Sequence, residues 1–363
     1  AAVPGKDLEL SIDRRIQYLA YRELKAAVQA QGAKAGAAVV LDARTGEVLA
    51  MVNQPSFNPN NRSDLHGKYV RNRAVTDVFE PGSTIKPFTI AAALKSGRYR
   101  PGSIVDTSPG FYTLDGHLVR DVRNYGRIDL STVIQKSSNV GASRIALTLQ
   151  PGEFWENFAL VGFGAPTGSG FPGESHGMLH DYGSWTRFEQ ATMAFGYGLS
   201  VTPLQLAHAY TVLANDGRLR PISFLKISRE EADAQAGDPV FSLRTVKAVR
   251  KMMEKVVSVE GTARRARIAG YSVAGKTGTV KKISDGSYSD ERYIGVFAGM
   301  VPATDPRLVM VVMIDEPSRG QYYGGLVAAP VFARVMSGAL RLLDIPPDDI
   351  NNVVNSDKSG GNA

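Results

Sequence analysis

The sequence predicts an α/β (α+β) fold: a five-stranded, mainly antiparallel sheet flanked by helices, with a mostly helical subdomain beside it. Two short strand-like runs near the N-terminus are joined by a tight loop, and three more lie close together near the C-terminus. The residues between them read largely as helix and loop. Strands confined to the two ends of a chain complete one sheet between them, and helices then cover its faces. The 363 residues include 43% apolar and 21% charged side chains and no cysteine. That composition is globular, and the length supports a large core without staples. The lack of cysteine excludes disulfides, thiol catalysis and cysteine-held metal.

Along the chain, residues 13–31 place Ile16, Leu19, Ala20, Leu24, Ala27 and Val28 at helical spacing, with Gly32 as a stop. Residues 37–41 and 47–53 are strands, joined by Asp42-Ala43-Arg44-Thr45-Gly46, a hairpin loop with a terminal glycine. Residues 55–72 are loop, and Phe79-Glu80-Pro81-Gly82 is a turn into a helix over 83–94 that Ser96-Gly97 ends. Residues 98–130 hold short strands at most; 130–150 is helical, and loop runs on to 184. Helices follow at 203–215 and 243–257, strands at 272–280, 293–301 and 307–314, and a closing helix at 328–343. The domain is expected to span 1–345, with its sheet drawn from 33–54 and 270–345 and its helical part from about 80–260. The Asn-, Asp- and Gly-rich residues 346–363 read as a flexible tail.

Lysine and arginine outnumber aspartate and glutamate 42 to 35, in small scattered clusters without interleaved aromatics. No nucleic-acid partner is expected from that pattern. No run approaches the roughly 18–20 apolar residues of a membrane span, and no basic-then-apolar leader opens the chain. His176 and His180 are four apart but lie among Gly and Pro, so they read as loop and not as a metal pair. The glycines from Gly162 to Gly170 do not follow the strand–G-x-G-x-x-G–helix pattern. No cofactor and no metal are expected.

Three short segments could carry chemistry. In Ser83-Thr84-Ile85-Lys86 the serine and lysine are three apart, on one face of a helix. Pro81-Gly82 puts Ser83 near the helix N-terminus, where free N–H groups and the positive dipole end can hold an oxyanion. A neutral Lys86 amine could deprotonate the serine, which requires burial or a neighbouring cation. Alone, the pattern also fits an N-cap serine with a solvated lysine, and Ser223-Phe224-Leu225-Lys226 repeats it in an extended run. Ser137-Ser138-Asn139 interrupts a helical stretch, where polar side chains can face a cleft; Ser56-Phe57-Asn58 is a loop decoy. In Lys276-Thr277-Gly278-Thr279, alternation puts Lys276 and Gly278 on one face and the two threonines on the other. Gly278 leaves room for close approach, and a peptide could add to such an edge as an extra strand. Lys95-Ser96-Gly97 and Lys358-Ser359-Gly360 are its decoys, a helix end and a tail.

Together and in this order, the three segments match the motif set of serine β-lactamases and penicillin-binding proteins. With Phe79-Glu80-Pro81-Gly82-Ser83-Thr84-Ile85-Lys86-Pro87, Lys136-Ser137-Ser138-Asn139-Val140-Gly141 and Phe195-Gly196-Tyr197-Gly198, the chain resembles the transpeptidase domain of class B penicillin-binding proteins. It is most similar to the division-specific Gram-negative type, penicillin-binding protein 3. The resemblance implies the penicillin-binding/β-lactamase-like fold. It also implies a D,D-transpeptidase that cross-links peptidoglycan stem peptides ending in D-Ala–D-Ala and is acylated by β-lactams.

By motif, Ser83 would be the nucleophile, Lys86 its base, Ser137 the proton relay, Asn139 a holder of Lys86 and substrate, and Lys276 an electrostatic tuner. Thr277, Gly278 and Thr279 would receive the substrate, its carboxylate on the two hydroxyls. Backbone N–H groups of Ser83 and Thr279 would form the oxyanion hole. Tyr293, Tyr322 and Tyr323 correspond to an aromatic wall, with ordinary packing as the alternative, and Val78 neighbours the nucleophile. Lys281 could meet an anionic group or stay solvated. Family members carry an N-terminal membrane anchor and a pedestal, neither of which is visible here, so a periplasmic catalytic domain without its anchor is implied. Division-complex proteins would be partners through that missing region. A serine β-lactamase, a D,D-carboxypeptidase and a non-catalytic penicillin-sensing module share the motifs. The deacylating Glu-x-x-Leu-Asn pattern of one β-lactamase class is missing, since no Leu-Asn dipeptide occurs in the chain.

Overall fold

The computed structural model describes residues 5–61, 63, 67, 69–284 and 287–350. Helix α1 (Arg14–Ala30) is capped by Asp13, whose carboxylate accepts from the Arg15 and Ile16 N–H groups. Its buried stripe of Ile16, Ala20, Leu24 and Ala27 follows the spacing in the sequence. Strands β1 (Ala35–Asp42) and β2 (Val48–Gln54) form the first hairpin. Strands β3 (Ala274–Ser284), β4 (Ser287–Val301) and β5 (Leu308–Asp315) form the second group. All five make one antiparallel sheet in the order β2-β1-β5-β4-β3. The ends of the chain meet where β1 pairs with β5, with Val39 opposite Val311. These two central strands are buried along nearly their whole length, which is why both read as unbroken apolar runs.

Between the two strand groups the helices include α2 (Lys86–Lys95), α3 (Leu130–Lys136), α4 (Asn139–Ala146), α5 (Pro151–Leu160), α6 (Pro203–Ala214) and α7 (Leu243–Val257), besides shorter ones at Arg73–Thr76, Arg187–Met193 and Arg229–Ala234. Helix α8 (Ala329–Leu342) follows β5. Helix α1 packs on β2 and on α8, while α6 packs on β1 and β5 and α7 on β3. Every residue of α6 is buried. It stands between the sheet and α2, where Tyr210 meets Phe88 edge to face at 5.5 Å between ring centres.

Four expectations change. The helix expected over 83–94 is a 3₁₀ turn, Gly82–Ile85, followed by α2, so Ser83 lies in the tight turn and not in the α-helix. The stretch read as loop beyond 150 contains α5: Pro151 sits at its first turn, where a missing N–H costs nothing, and Phe154 and Phe158 bury one face. Strands β3 and β4 run further toward their hairpin than the expected 272–280 and 293–301. The expected tail begins with held residues, because Asp348 accepts from the Ser272 N–H at 2.8 Å and the Asp349 N–H donates to the Gly270 carbonyl at 3.0 Å. Residues 351–363, including Lys358-Ser359-Gly360, lie outside the described residues. Among the described residues no helix is long and apolar enough to cross a membrane.

Candidate active site

The turn that carries Ser83 is built by backbone contact. Gly82 has φ +53°, and its N–H donates to the Gly196 carbonyl at 3.0 Å. A Cβ on Gly196 would stand 2.1 Å from the Gly82 oxygen, so only glycine lets these segments touch. The buried Tyr210 hydroxyl on α6 donates to the Thr84 carbonyl at 2.7 Å, and Thr89 Oγ1 on α2 donates to the Ala194 carbonyl at 2.8 Å. From Pro81 to Ala93 every residue is buried except Ser83, which is half-buried. The strand of the third motif reaches this turn through Gly278, where a Cβ would lie 3.0 Å from both the Pro81 oxygen and Thr84 Cγ2.

The second motif is the break between α3 and α4. Ser137 takes left-handed backbone angles, φ 61° and ψ 40°, a strained choice for a non-glycine residue. That twist turns both its carbonyl and its hydroxyl toward Lys86. Asp121 holds the break in place, accepting from Ser138 Oγ at 2.6 Å and from the N–H groups of Asn139 and Val140 at 2.5 and 3.0 Å.

The three motifs converge on Lys86. Its Nζ lies 2.9 Å from Ser83 Oγ, 2.6 Å from the Ser137 carbonyl, 3.1 Å from Ser137 Oγ and 2.7 Å from Asn139 Oδ1. Lys276 Nζ donates to the same Ser137 Oγ at 2.9 Å and to the Thr277 carbonyl at 3.1 Å. Both lysines are fully buried. Burial, and then the like charge of Lys276, hold the Lys86 amine well below the usual lysine value, against an opposing pull from Asp121. Burial brings Lys276 down to about 7. A neutral Lys86 has two N–H donors and one lone pair. The Ser137 carbonyl and Asn139 Oδ1 can only accept, so they take both donors. The lone pair is then left facing hydroxyls, with Ser83 the nearer. Asn139 Nδ2 donates to the Arg120 carbonyl at 3.3 Å, which fixes its amide with the oxygen toward Lys86.

On the other face of β3, Thr277 Oγ1 shares a 2.9 Å hydrogen bond with Thr262 Oγ1, and Thr279 Oγ1 accepts from the Gly324 N–H at 3.1 Å. Alternation along the strand is therefore as the sequence predicts. Strand β3 lies at the sheet edge, leaving one side open to a further strand. Thr279 pairs across with Gly295, and Tyr293 follows two residues along on the same face. Tyr293 stacks on Tyr322 at 4.2 Å between ring centres, and Tyr323 joins Tyr322 at 4.5 Å. The three tyrosines thus form one group near the third motif.

Other sequence candidates stand apart. Val78 is 46% exposed on the segment leading into the turn and takes no part in the hydrogen-bonded cluster. Lys281 pairs with Asp290 at 2.5 Å across the hairpin. Lys226 pairs with Glu9, and Ser223 Oγ donates to the Leu225 carbonyl, so that decoy has no serine–lysine contact. Among the described residues no group of three metal-ligating side chains occurs.

Sequence reasoning missed three residues. Asp121 lies in a Gly- and Asp-rich stretch with nothing to mark it, and Thr262 sits in an unmarked loop. Glu80 was visible beside Ser83: its carboxylate accepts from the Gly198 N–H at 2.9 Å and from the Tyr288 hydroxyl at 3.0 Å, tying the turn to the β3–β4 hairpin. Burial raises its pKa.

A family model, the penicillin binding protein transpeptidase domain, matches residues 36–337. A Pseudomonas aeruginosa relative named probable peptidoglycan D,D-transpeptidase PbpC is 46% identical over 96% of this chain and 61% of its own length. A Neisseria flavescens relative named probable peptidoglycan D,D-transpeptidase PenA is 47% identical over 94% of this chain and 84% of its own. The chain thus spans less than two thirds of the Pseudomonas relative. The apo structure of the TP domain of Burkholderia pseudomallei penicillin-binding protein 3 superposes with a TM-score of 0.85 at 46% identity, covering 95% of this chain and 99% of that one. The matched region contains all the strands and helices that bring the three motifs together, and on that ground the chain belongs to the penicillin-binding protein transpeptidase family.

Proposed function

We propose that this chain is the catalytic domain of a peptidoglycan D,D-transpeptidase, a serine acyltransferase working on stem peptides that end in D-Ala–D-Ala. The observation that carries the reading is the Lys86 amine, buried and depressed in pKa, with both donors engaged and its lone pair 2.9 Å from Ser83 Oγ. In the proposed reaction Ser83 Oγ attacks the carbonyl of the penultimate D-Ala and passes its proton to Lys86 Nζ. Backbone N–H groups of Ser83 and Thr279 hold the oxyanion. The proton, taken from Ser83 over 2.9 Å, then moves from Lys86 over the 3.1 Å bond to Ser137 Oγ, which passes its own proton to the departing D-Ala nitrogen. An amine from a neighbouring stem then attacks the acyl-enzyme, and the same groups return the proton in reverse.

Lys276 supplies positive charge behind Ser137. Thr279 accepts from Gly324 and so keeps its own O–H for the substrate carboxylate. Thr277 and Thr262 are a hydroxyl pair in which one O–H remains to donate outward. Asn139 orients Lys86, the stem lies along the β3 edge over Gly278, and the group of Tyr293, Tyr322 and Tyr323 walls the far side. Val78 flanks the entrance to the nucleophile turn. A β-lactam enters as an acyl donor whose leaving group stays attached.

The setting that goes with this reading is the periplasmic side of the inner membrane during septal wall synthesis, with division-complex proteins as partners. The test is labelling with a fluorescent penicillin, peptide mapping, and D-Ala release from a stem-peptide donor with an amine acceptor. The label is expected on Ser83, and both signals vanish in Ser83→Ala. Label on another residue, or turnover surviving that substitution, overturns the reading.

A further inference from the structure

We propose that a second site, between α6, α7 and the β4–β5 connection, binds a phosphate-bearing anion. A cavity of about 320 Å³ lies there, lined by five cations, Arg44, Arg220, Arg229, Lys247 and Arg250, against the carboxylates of Asp216 and Asp305. Three of the cations are matched: Arg44 with Asp305 at 2.6 Å, Arg220 with Asp216 at 3.0 Å and Arg229 with Asp233 at 3.7 Å. Among the described residues no carboxylate comes within 4.0 Å of Lys247 or Arg250.

Arg250 is the telling residue, at 5% exposure. Its Nη1 donates to the Ala214 carbonyl at the end of α6 at 3.2 Å, and its Nε is buried without a partner. The carboxylates whose field reaches it, Asp305 and Glu254, are taken by Arg44 and Lys251. Capping a helix C-terminus accounts for one of its five N–H donors. It does not account for a buried guanidinium with no carboxylate in ion-pair contact, which a fold tolerates poorly. Lys247 lies three residues earlier on α7, on the same face.

Two unmatched positive charges therefore look into one small cavity. A phosphate monoester brings close to two negative charges and three acceptor oxygens, and guanidinium binds it as a two-pronged fork. A neighbouring groove of about 810 Å³, lined in part by Arg100, Arg218 and Arg244, shares Asp216 and Leu243 with the cavity and extends the positive field around its mouth. The phosphate can come from a soluble phosphomonoester or from an anionic lipid headgroup.

The test has two arms, run on the wild-type chain, Lys247→Met and Arg250→Met at constant ionic strength. One follows thermal stabilisation by glycerol 3-phosphate against equal chloride. The other follows co-flotation with vesicles containing phosphatidic acid, whose headgroup is a phosphate monoester, against phosphatidylcholine alone. In the responding arm each variant should weaken the effect at least about tenfold, the size of one hydrogen bond to a charged group. A response to glycerol 3-phosphate assigns a soluble ligand, and a response to vesicles alone assigns the headgroup. Lys247 is exposed, so its variant keeps the test decisive even if Arg250→Met unfolds. No response in either arm, or one that neither substitution weakens, overturns the proposal.

Discussion

Replacing Lys276 with glutamine removes one of two buried amines that share the Ser137 hydroxyl. The 3.1 and 2.9 Å bonds to that oxygen put the two nitrogens at most about 6 Å apart. At an effective dielectric near 20, two unit charges at that distance repel by about 3 kcal/mol. That repulsion is worth roughly 2 pK units. The Lys276 charge lowers the Lys86 pKa, so its loss raises that pKa. In the proposed mechanism the base acts only when neutral, and acylation therefore rises as pH passes upward through its pKa. The rising limb of the pH–rate profile should move toward alkaline pH in Lys276→Gln, by up to about 2 units where Lys276 carries its full charge. At a pH on that limb the variant is slower by up to roughly a hundredfold, and much of that loss is recovered at high pH. Because the lysines titrate together, the wild-type midpoints belong to the pair. The assay is the second-order rate of Ser83 acylation by a fluorescent penicillin between pH 5 and 10. An unmoved limb with a uniformly lower rate would refute the electrostatic account and leave Lys276 with only its hydrogen bond to Ser137.

Lys86→Ala should stay folded and slow acylation by at least about 10²-fold, the loss expected of a general base, and near-normal acylation removes Lys86 from the mechanism. Asp121→Ala leaves Ser138 Oγ and two N–H groups at the start of α4 without their acceptor. It should cost about 2–3 kcal/mol in denaturant unfolding and slow acylation as well, with Asp121→Asn recovering part of both. Unchanged unfolding would show that these three hydrogen bonds contribute no net stability. Gly196→Ala forces a Cβ to 2.1 Å from the Gly82 oxygen at a φ of +87°. It should lower the melting temperature and the acylation rate together, and a variant with full activity would mean that the turn tolerates displacement. Between pH 6.5 and 4, stability should fall as pH falls, because burial depresses His208 to about 4 while the unfolded histidine protonates near 6.5. His208→Asn should flatten that slope in pH-dependent thermal melts.

Much of this protein is written locally. The three-residue spacing of Ser83 and Lys86 is one helical turn, and the structure keeps it although the turn is 3₁₀ and not α. Alternation along 276–279 sorts the lysine from the threonines, as any strand does. The unbroken apolar runs of β1 and β5 announce a sheet covered on both faces. Polar residues interrupting a helix mark the Ser137 break, though not the left-handed twist that aims its carbonyl at Lys86. Helix α5 was legible in principle from Phe154 and Phe158 four apart, but Pro-Gly at its head reads first as a turn.

What the sequence determined alone is therefore the set of candidate reactive side chains and the local geometry of each, because helix and strand periodicities act between near neighbours. Tertiary structure decided their chemistry. Lys86 loses its proton readily only because it is buried and because Lys276, from a strand 190 residues away, places a second amine on the same hydroxyl. Asp121 and Thr262 enter the site the same way, by proximity that no spacing encodes. Desolvation and Coulomb interaction depend on distance in space and on excluded water, and both exist only once distant segments have packed.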